Sequence, residues 1–395
     1  MLLKNISLLY GKNLDYVPST DIHISGQVFS KIKNNLPKNG DKSIDCEGLL
    51  LVPGFVNMHT HIGDSIAKDS TLGGTVDSKI HPVLGAKPRI LRKSAPEHLS
   101  AFMKNTCFSM LKKGITTFVD FREGGLDGIL LLKKSIAKIP IRSVILGRLE
   151  YYQDKNQICR NEGLNDLAKL RLRKILNEAD GLGVSGPNEN SDSVLQYYSK
   201  TRKIRAIHSS ETADTIKQSK KITGKTETTR ALMLKPHFLV HMTYADNSDL
   251  RNTAKKARGI VICPRANATL AEGIPNSSLM EKLGCVVAIG TDNVMLNSPD
   301  MFREMDYLWK VQMGLHKEPI DPKKILKMAT VNGGILLNKK IGSIESQYCA
   351  DAIFVDKHAI ELQPMHNPYA SIVHRVDETA IKAVMVGGKI VHGKI

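Results

Sequence analysis

The sequence predicts an α/β protein: a (β/α)8, TIM-type barrel with a small β-sandwich built from both chain termini. From Leu51 onward, short apolar runs alternate with helical segments, the rhythm of βαβ units and a parallel sheet. Eight such runs precede Pro322. Both ends of the 395-residue chain carry strand-like runs with no helical pattern between them. A doubly wound open sheet is the competing architecture, but no G-x-G-x-x-G follows any of the runs.

Residues 1–50 alternate apolar runs (Leu2-Leu3, Ile6 to Leu9, Ile22 to Ile24) with polar turns, of which Lys38-Asn39-Gly40-Asp41 is the clearest. Leu49 to Val52 reads as a buried strand that breaks at Pro53-Gly54. Barrel strands are predicted at Gly54 to His59, Thr116 to Asp120, Arg142 to Leu146 and Gly181 to Val184. The other four are Arg205 to His208, Phe238 to His241, Gly259 to Cys263 and Val286 to Ile289. Helical patterns cover Ala95 to Lys113, Leu164 to Ala179, Glu189 to Lys200, Leu250 to Ala257 and Ser278 to Leu283. Pro322 to Asn338 reads as one further helix. Ala352 to Val355 then restores the strand rhythm, and Ile381 to Val386 with Lys389 to His392 reads as a hairpin around Gly387-Gly388. Residues 1–52 with 343–395 are therefore expected to form the sandwich, and 53–342 the barrel.

Bulk properties narrow the function classes. Hydrophobic content of 42% and charged content of 24% are those of a soluble globular protein. No stretch offers the roughly eighteen apolar residues of a membrane span, and Met1 to Tyr10 does not read as a signal peptide. Cys46, Cys107, Cys159, Cys263, Cys285 and Cys349 are scattered without a C-x-x-C pair, which points to a reduced, cytoplasmic setting. The formal charge of +17 is spread along the chain, with short clusters at Lys200 to Arg205 and Lys255 to Arg258. Aromatics make up 5% and do not interleave with those clusters, so nucleic-acid binding is disfavoured. The positive field favours an anionic small-molecule substrate.

The chemistry sits at predicted strand ends. His59 and His61 are at i and i+2, on the same face of a strand. Alone, that pair fits either two polar residues facing water or half of a metal site. His208 with Glu211, then His241, then Asp292 follow the fifth, sixth and eighth apolar runs. All fall on the carboxyl-terminal face where such barrels carry their active sites. Three histidine nitrogens and one aspartate oxygen suit Zn2+ or a comparable divalent ion, with a position left for water. Such an ion lowers the pKa of its water from about 15.7 to about 7.

These residues lie in motifs that resemble the amidohydrolase superfamily, specifically its metal-dependent aminohydrolase branch of cytosine, guanine and adenosylhomocysteine deaminases and chlorohydrolase relatives. The resemblance runs nearly the whole length. It rests on Pro53-Gly54-Phe55-Val56-Asn57-Met58-His59-Thr60-His61, His208-x-x-Glu211, His241 and Cys263-Pro264-Arg265-Ala266-Asn267. It continues through Gly290-Thr291-Asp292-Asn293, Asp300 to Met305, Ala329 to Gly334 and Ala350 to Asp356. Ala266 stands where relatives commonly have Ser, and the Gly-rich spacing before Ala350 is weakened to Ser346-Gln347-Tyr348-Cys349.

The resemblance implies that His59, His61, His208 and Asp292 hold one divalent ion, Zn2+ or alternatively Fe2+. It gives Asp292 the proton of the attacking water, Glu211 the general acid/base role, and His241 a hydrogen bond to the reacting oxygen. Binuclear relatives carry a bridging lysine on strand four, and Asp180 to Pro187 contains none, which favours a single ion. His81, Arg122, Arg148 and Asn267 are the candidate substrate contacts. The expected activity is hydrolytic deamination of an N-heterocycle such as a nucleobase, nucleoside or phosphorylated derivative. Hydrolysis of another C–N or C–Cl bond is the enzymatic alternative. A non-catalytic barrel binding nucleic acid or a partner through its basic surface is the alternative of a different class. A homo-oligomer, dimer or tetramer, is expected.

Overall fold

Strands buried on both faces read as unbroken apolar runs, because helices cover the outside of a parallel barrel while side chains fill its inside. The computed structural model describes residues 1–38, 40–71, 73 and 76–395, the side chains of residues 76 and 77 apart. Asn39 of the expected turn, and Leu72, Gly74 and Thr75 of the stretch after the first barrel strand, lie outside the described residues.

The barrel strands are Phe55–His61, Ile115–Arg122, Arg142–Gly147, Gly181–Val184, Ile204–Ser209, Phe238–His241, Gly259–Ile262 and Val287–Ile289. They pair in sequence order, and all the pairings are parallel. The ring closes through Asp292–Asn293, which continues the eighth strand and pairs Asp292 with Thr60 and Asn293 with His61. Gly290 makes that closure possible. A Cβ there would stand 2.5 Å from the Cβ of His59, a distance only glycine avoids. Val56, Phe121, Leu146, Val240 and Val261 meet in the barrel interior.

The accessory unit joins both termini in one mixed sheet of eight strands. Its centre is Leu49–Pro53, which pairs antiparallel with Ala352–Asp356 and parallel with Leu2–Tyr10. The sheet curls until Val28–Ile32 is reached by the segment leading into Ala352. Gln347 N donates to Phe29 O (2.7 Å), and Ala350 N donates to Gln27 O (2.8 Å). Leu3, Ile24, Phe29, Phe354 and Met385 fill its interior. The chain leaves this sheet at Pro53 and enters the barrel at Phe55, with Gly54 N tied to Asp351 O (3.0 Å).

The structure adds helices that the pattern does not announce, among them Gly125–Ile136, Ala213–Thr223, Met301–His316 and Pro368–His374. The single helix expected over 322–338 is two, Pro322–Ala329 and Val331–Leu337. Thr330 breaks it with φ −133° and ψ −90°. The second piece then lies against the first barrel strand, where a Cβ on Gly333 would be 2.6 Å from Val56 Cγ1. Among the described residues no helix is long and apolar enough to cross a membrane.

Candidate active site

Barrel closure brings four strand ends to one point. His59 and His61 end the first strand, His208 lies near the end of the fifth, His241 ends the sixth, and Asp292 begins the continuation of the eighth. His59 Nε2 lies 3.2 Å from His208 Nε2 and 3.2 Å from Asp292 Oδ1. His61 Nε2 is 3.4 Å from the same aspartate oxygen. Two sets, His59 with His61 and His208, and His59 with His241 and Asp292, each keep their candidate ligand atoms within 4.8 Å of one another.

The donor set fits a divalent cation. His61 Nδ1 donates to Glu123 Oε1 (2.6 Å) and Phe121 O (3.1 Å), and His208 Nδ1 donates to Val184 O (2.9 Å). With the proton on Nδ1, each Nε2 turns a lone pair to the centre, the outer hydrogen bond fixing ring and tautomer. His59 Nε2, 3.2 Å from His208 Nε2, faces the same centre, and its Nδ1 is buried without a hydrogen-bond partner. Burial holds His59 down to about 3 and, with the neighbouring histidines, holds His208 well below the usual imidazole range, so both rings are neutral near pH 7. Burial works against the charge of Asp292, but the hydrogen bond from His59 and the fields of His59 and His61 outweigh it. Its carboxyl is held well below the carboxylate range.

Glu211 and His241 stand beside this centre. Glu211 Oε1 is buried without a hydrogen-bond partner, 3.5 Å from His241 Nε2. Burial pushes its carboxyl up, which favours the protonated form. His241 is oriented from behind. Asn267 Nδ2 donates to Thr243 Oγ1 (2.9 Å), leaving Asn267 Oδ1 to accept from His241 Nδ1 (3.3 Å). His241 Nε2 is thereby free to accept on the cavity side. Ser210, His241, Met242 and Asp292 all have positive φ, between 52° and 73°. Non-glycine residues pay about 1–3 kcal/mol each for such backbone, and such strain clusters at functional sites.

The cavity over these groups encloses about 100 Å³ and is lined by His61, His81, Arg148, Asn188, Glu189 and Glu211, among others. A chamber of about 660 Å³ adjoins it and shares Ile80, Pro82, Lys87 and Arg148. Of the four candidate substrate contacts, His81 and Arg148 line the smaller cavity. Arg122 faces the neighbouring chamber and is buried, with Nε donating to Glu123 O (3.0 Å) and Nη1 3.7 Å from Asp120 Oδ2. Asn267 stands behind His241 and away from the cavity wall.

Several residues here were not singled out from sequence. Glu123 Oε1 binds both His61 Nδ1 and the buried Lys87 Nζ (2.6 Å each), and Lys87 also reaches Asp64 (3.3 Å). Glu227 accepts from Ser210 N (3.1 Å) and Thr215 Oγ1 (2.6 Å), tying the end of the fifth strand to the next helix. The one signal for Glu123 is a carboxylate just past a strand end; nothing in the local pattern marks Lys87 or Glu227.

Burial pushes Glu227 up to about 8 from 4.5. The folded state therefore binds a proton that the unfolded state releases, and the associated stability is full below about 4.5 and lost as pH rises through about 8. Glu227→Gln keeps a neutral acceptor at this position. It is expected to flatten the fall in melting temperature between about pH 5 and pH 8; a fall as steep as in the wild type would exclude Glu227 as its source.

Residues 50–391 match the model of the amidohydrolase family. A protein of Methanothermobacter thermautotrophicus is 34% identical over 395 residues, covering 99% of both chains. A 5-methylthioadenosine/S-adenosylhomocysteine deaminase of Thermococcus sibiricus is 28% identical over 415 residues, covering 99% of this chain and 93% of its own. Among solved structures, an adenosine deaminase from Xanthomonas campestris with bound zinc superposes with a TM-score of 0.81 at 19% identity. That match covers 98% of this chain and 92% of the other.

Proposed function

This chain belongs to the amidohydrolase family, and we propose that it is a metal-dependent deaminase that releases ammonia from an N-heterocycle. It is a hydrolase of non-peptide carbon–nitrogen bonds and works with a divalent metal ion. The observation that carries the reading is the convergence of three imidazoles, two of them held neutral by burial, and one ionised carboxylate beside Glu211, whose Oε1 is buried without a hydrogen-bond partner.

We take His59, His61, His208 and Asp292 as the ligands of one ion, Zn2+ by preference, since an N3O donor set suits it. The ion, when bound, supplies a water acidic enough to act as nucleophile at neutral pH. The chain's own groups do the rest. Asp292 takes one proton from that water as its oxygen adds to the ring carbon. Glu211, protonated through burial, gives its proton to the adjacent ring nitrogen. His241 accepts a hydrogen bond from the adding oxygen through Nε2. On collapse the C–N bond breaks, the amine leaves as ammonia and the ring keeps a carbonyl. Asp292 hands its proton to the departing amine, and the proton on the added oxygen goes to Glu211 as the carbonyl forms, so both carboxyls return to their starting state.

Residues 53–342 carry this machinery in our reading, with 1–52 and 343–395 as the accessory unit. Arg148 lies on the wall common to both cavities, and its Nε is buried without a hydrogen-bond partner. We assign it to a carboxylate or phosphate on the substrate. The test is an ammonia-release screen of the zinc-loaded protein over pyrimidines, purines, pterins and their nucleosides and phosphates. Release from at least one class is expected. None from any class, with metal present, would refute deamination.

A further inference from the structure

The helix Ala86–Lys93 forms part of the wall of both cavities, and among the described residues its one buried member is a lysine. Lys87 Nζ lies 2.6 Å from Glu123 Oε1 and 3.3 Å from Asp64 Oδ2, and all three side chains are buried. Each carboxylate leads to a candidate ligand. Glu123 Oε1 also accepts from His61 Nδ1 (2.6 Å). Asp64 accepts from Asn293 Nδ2 (2.7 Å) and from Met295 N (3.0 Å), which fixes the chain directly after Asp292. One ammonium thus stands behind both His61 and Asp292.

The helix has little else to hold it. Val83 and Leu84, just before it, are 50% and 68% exposed. Among the described residues, no other side chain of 80–93 makes a salt bridge. A buried ammonium persists because it is paired, and without it each buried carboxylate loses its compensating charge. Burial opposes the charge of Glu123, but the fields of Lys87 and His61 outweigh it and hold the carboxyl well below the carboxylate range. In Asp64 burial prevails and pushes the carboxyl up, with Lys87 working against it. An ionised Glu123 keeps the His61 proton on Nδ1 and leaves Nε2 free for an ion.

We infer that Lys87 is a positioning residue: it couples the seating of the helix Ala86–Lys93 against the cavities to the orientation of His61 and Asp292, so that a bound zinc ion and the seated helix stabilise each other. Such coupling is reciprocal. The factor by which seating raises zinc affinity is the factor by which zinc favours seating. The inference rests on His61 and Asp292 being ligands, and zinc binding tests it apart from turnover.

The experiment uses full-length protein, stripped of metal and reloaded with zinc. Zinc affinity is read by competition with a chromogenic chelator, and hydrogen exchange of residues 80–93 is followed with and without zinc. Lys87→Met keeps the length of the side chain and removes its charge. It is expected to bind zinc about ten- to a hundredfold more weakly. In the wild type, zinc should slow exchange of residues 86–93 by a comparable factor, and in Lys87→Met it should not. A cycle with Glu123→Gln separates charge from packing: once that carboxylate is neutral, Lys87→Met should cost far less zinc affinity. Zinc affinity unchanged or raised in Lys87→Met, or an equal cost in both backgrounds, overturns the inference. So does wild-type exchange that ignores zinc, a result that needs no variant to fold. Zinc held undiminished by the His59→Ala, His61→Ala protein defeats the ligand reading; zinc lost there but untouched by Lys87→Met defeats this inference alone.

Discussion

Glu211→Gln is expected to lower ammonia release at least a hundredfold while the protein keeps its wild-type metal content. General acid–base groups contribute about 10²- to 10⁴-fold, and Glu211 is asked to act on the ring nitrogen and, through it, on the leaving amine. Glutamine matches its shape, so the cavity and the contact to His241 Nε2 at 3.5 Å persist, but the amide holds no transferable acid proton. The burial that pushes the Glu211 carboxyl up is what keeps that proton available near neutral pH. Glu211 stands outside the His59, His61, His208 and Asp292 cluster, which is why metal content separates the acid role from a ligand role. Turnover near the wild-type rate would remove Glu211 from the chemistry.

The second large effect concerns the first strand. A protein with both His59→Ala and His61→Ala should bind no metal and release no ammonia above background. Two of four ligands are gone, and His59 is the ring shared by both candidate ligand sets. Both imidazoles are buried, so the truncations also leave cavities, each costing about 2–5 kcal/mol if the neighbours do not collapse. Circular dichroism at the assay temperature separates that loss from the loss of the ion. A folded double variant with undiminished turnover would end the reading of this strand as a ligand strand.

The barrel was legible because its strands are unbroken apolar runs. Gly181–Val184 and Phe238–His241 stand where the pattern ends them; the first is bounded by Asp180 and Ser185, and the second begins after Pro236-His237. The first strand runs two residues past the expected His59, to His61, and the reason is pairing. Thr60 is held by Asp120 on one side and Asp292 on the other, and those partners are distant in sequence. The helix Gly125–Ile136 was hidden because Gly124-Gly125 reads as loop, although Gly124, with φ 82°, is its N-cap. The break at Thr330 was hidden because the apolar pattern continues on both sides of it.

The site was legible where chemistry coincides with a strand end, as at His59, His61, His208, His241 and Asp292. It was not legible where a side chain reaches in from a loop. Lys87 meets Glu123 across 36 positions of sequence, and Asn188 meets Thr215 across 27; no local period relates either pair. Arg122 and Asn267 were read as substrate contacts from their place after strand ends. In the fold Arg122 is spent on Glu123 and Asp120, and Asn267 on His241 and Thr243.

Whether His59, His61, His208 and Asp292 hold one working ion is decided by returning zinc in steps to metal-stripped protein and following ammonia release from its best substrate. Release should start at background and saturate at one equivalent per chain, and the His59→Ala, His61→Ala variant should not recover at any ratio. Full activity in the stripped protein, saturation only at two equivalents, or recovery of the double variant would contradict a single ion held by these four side chains.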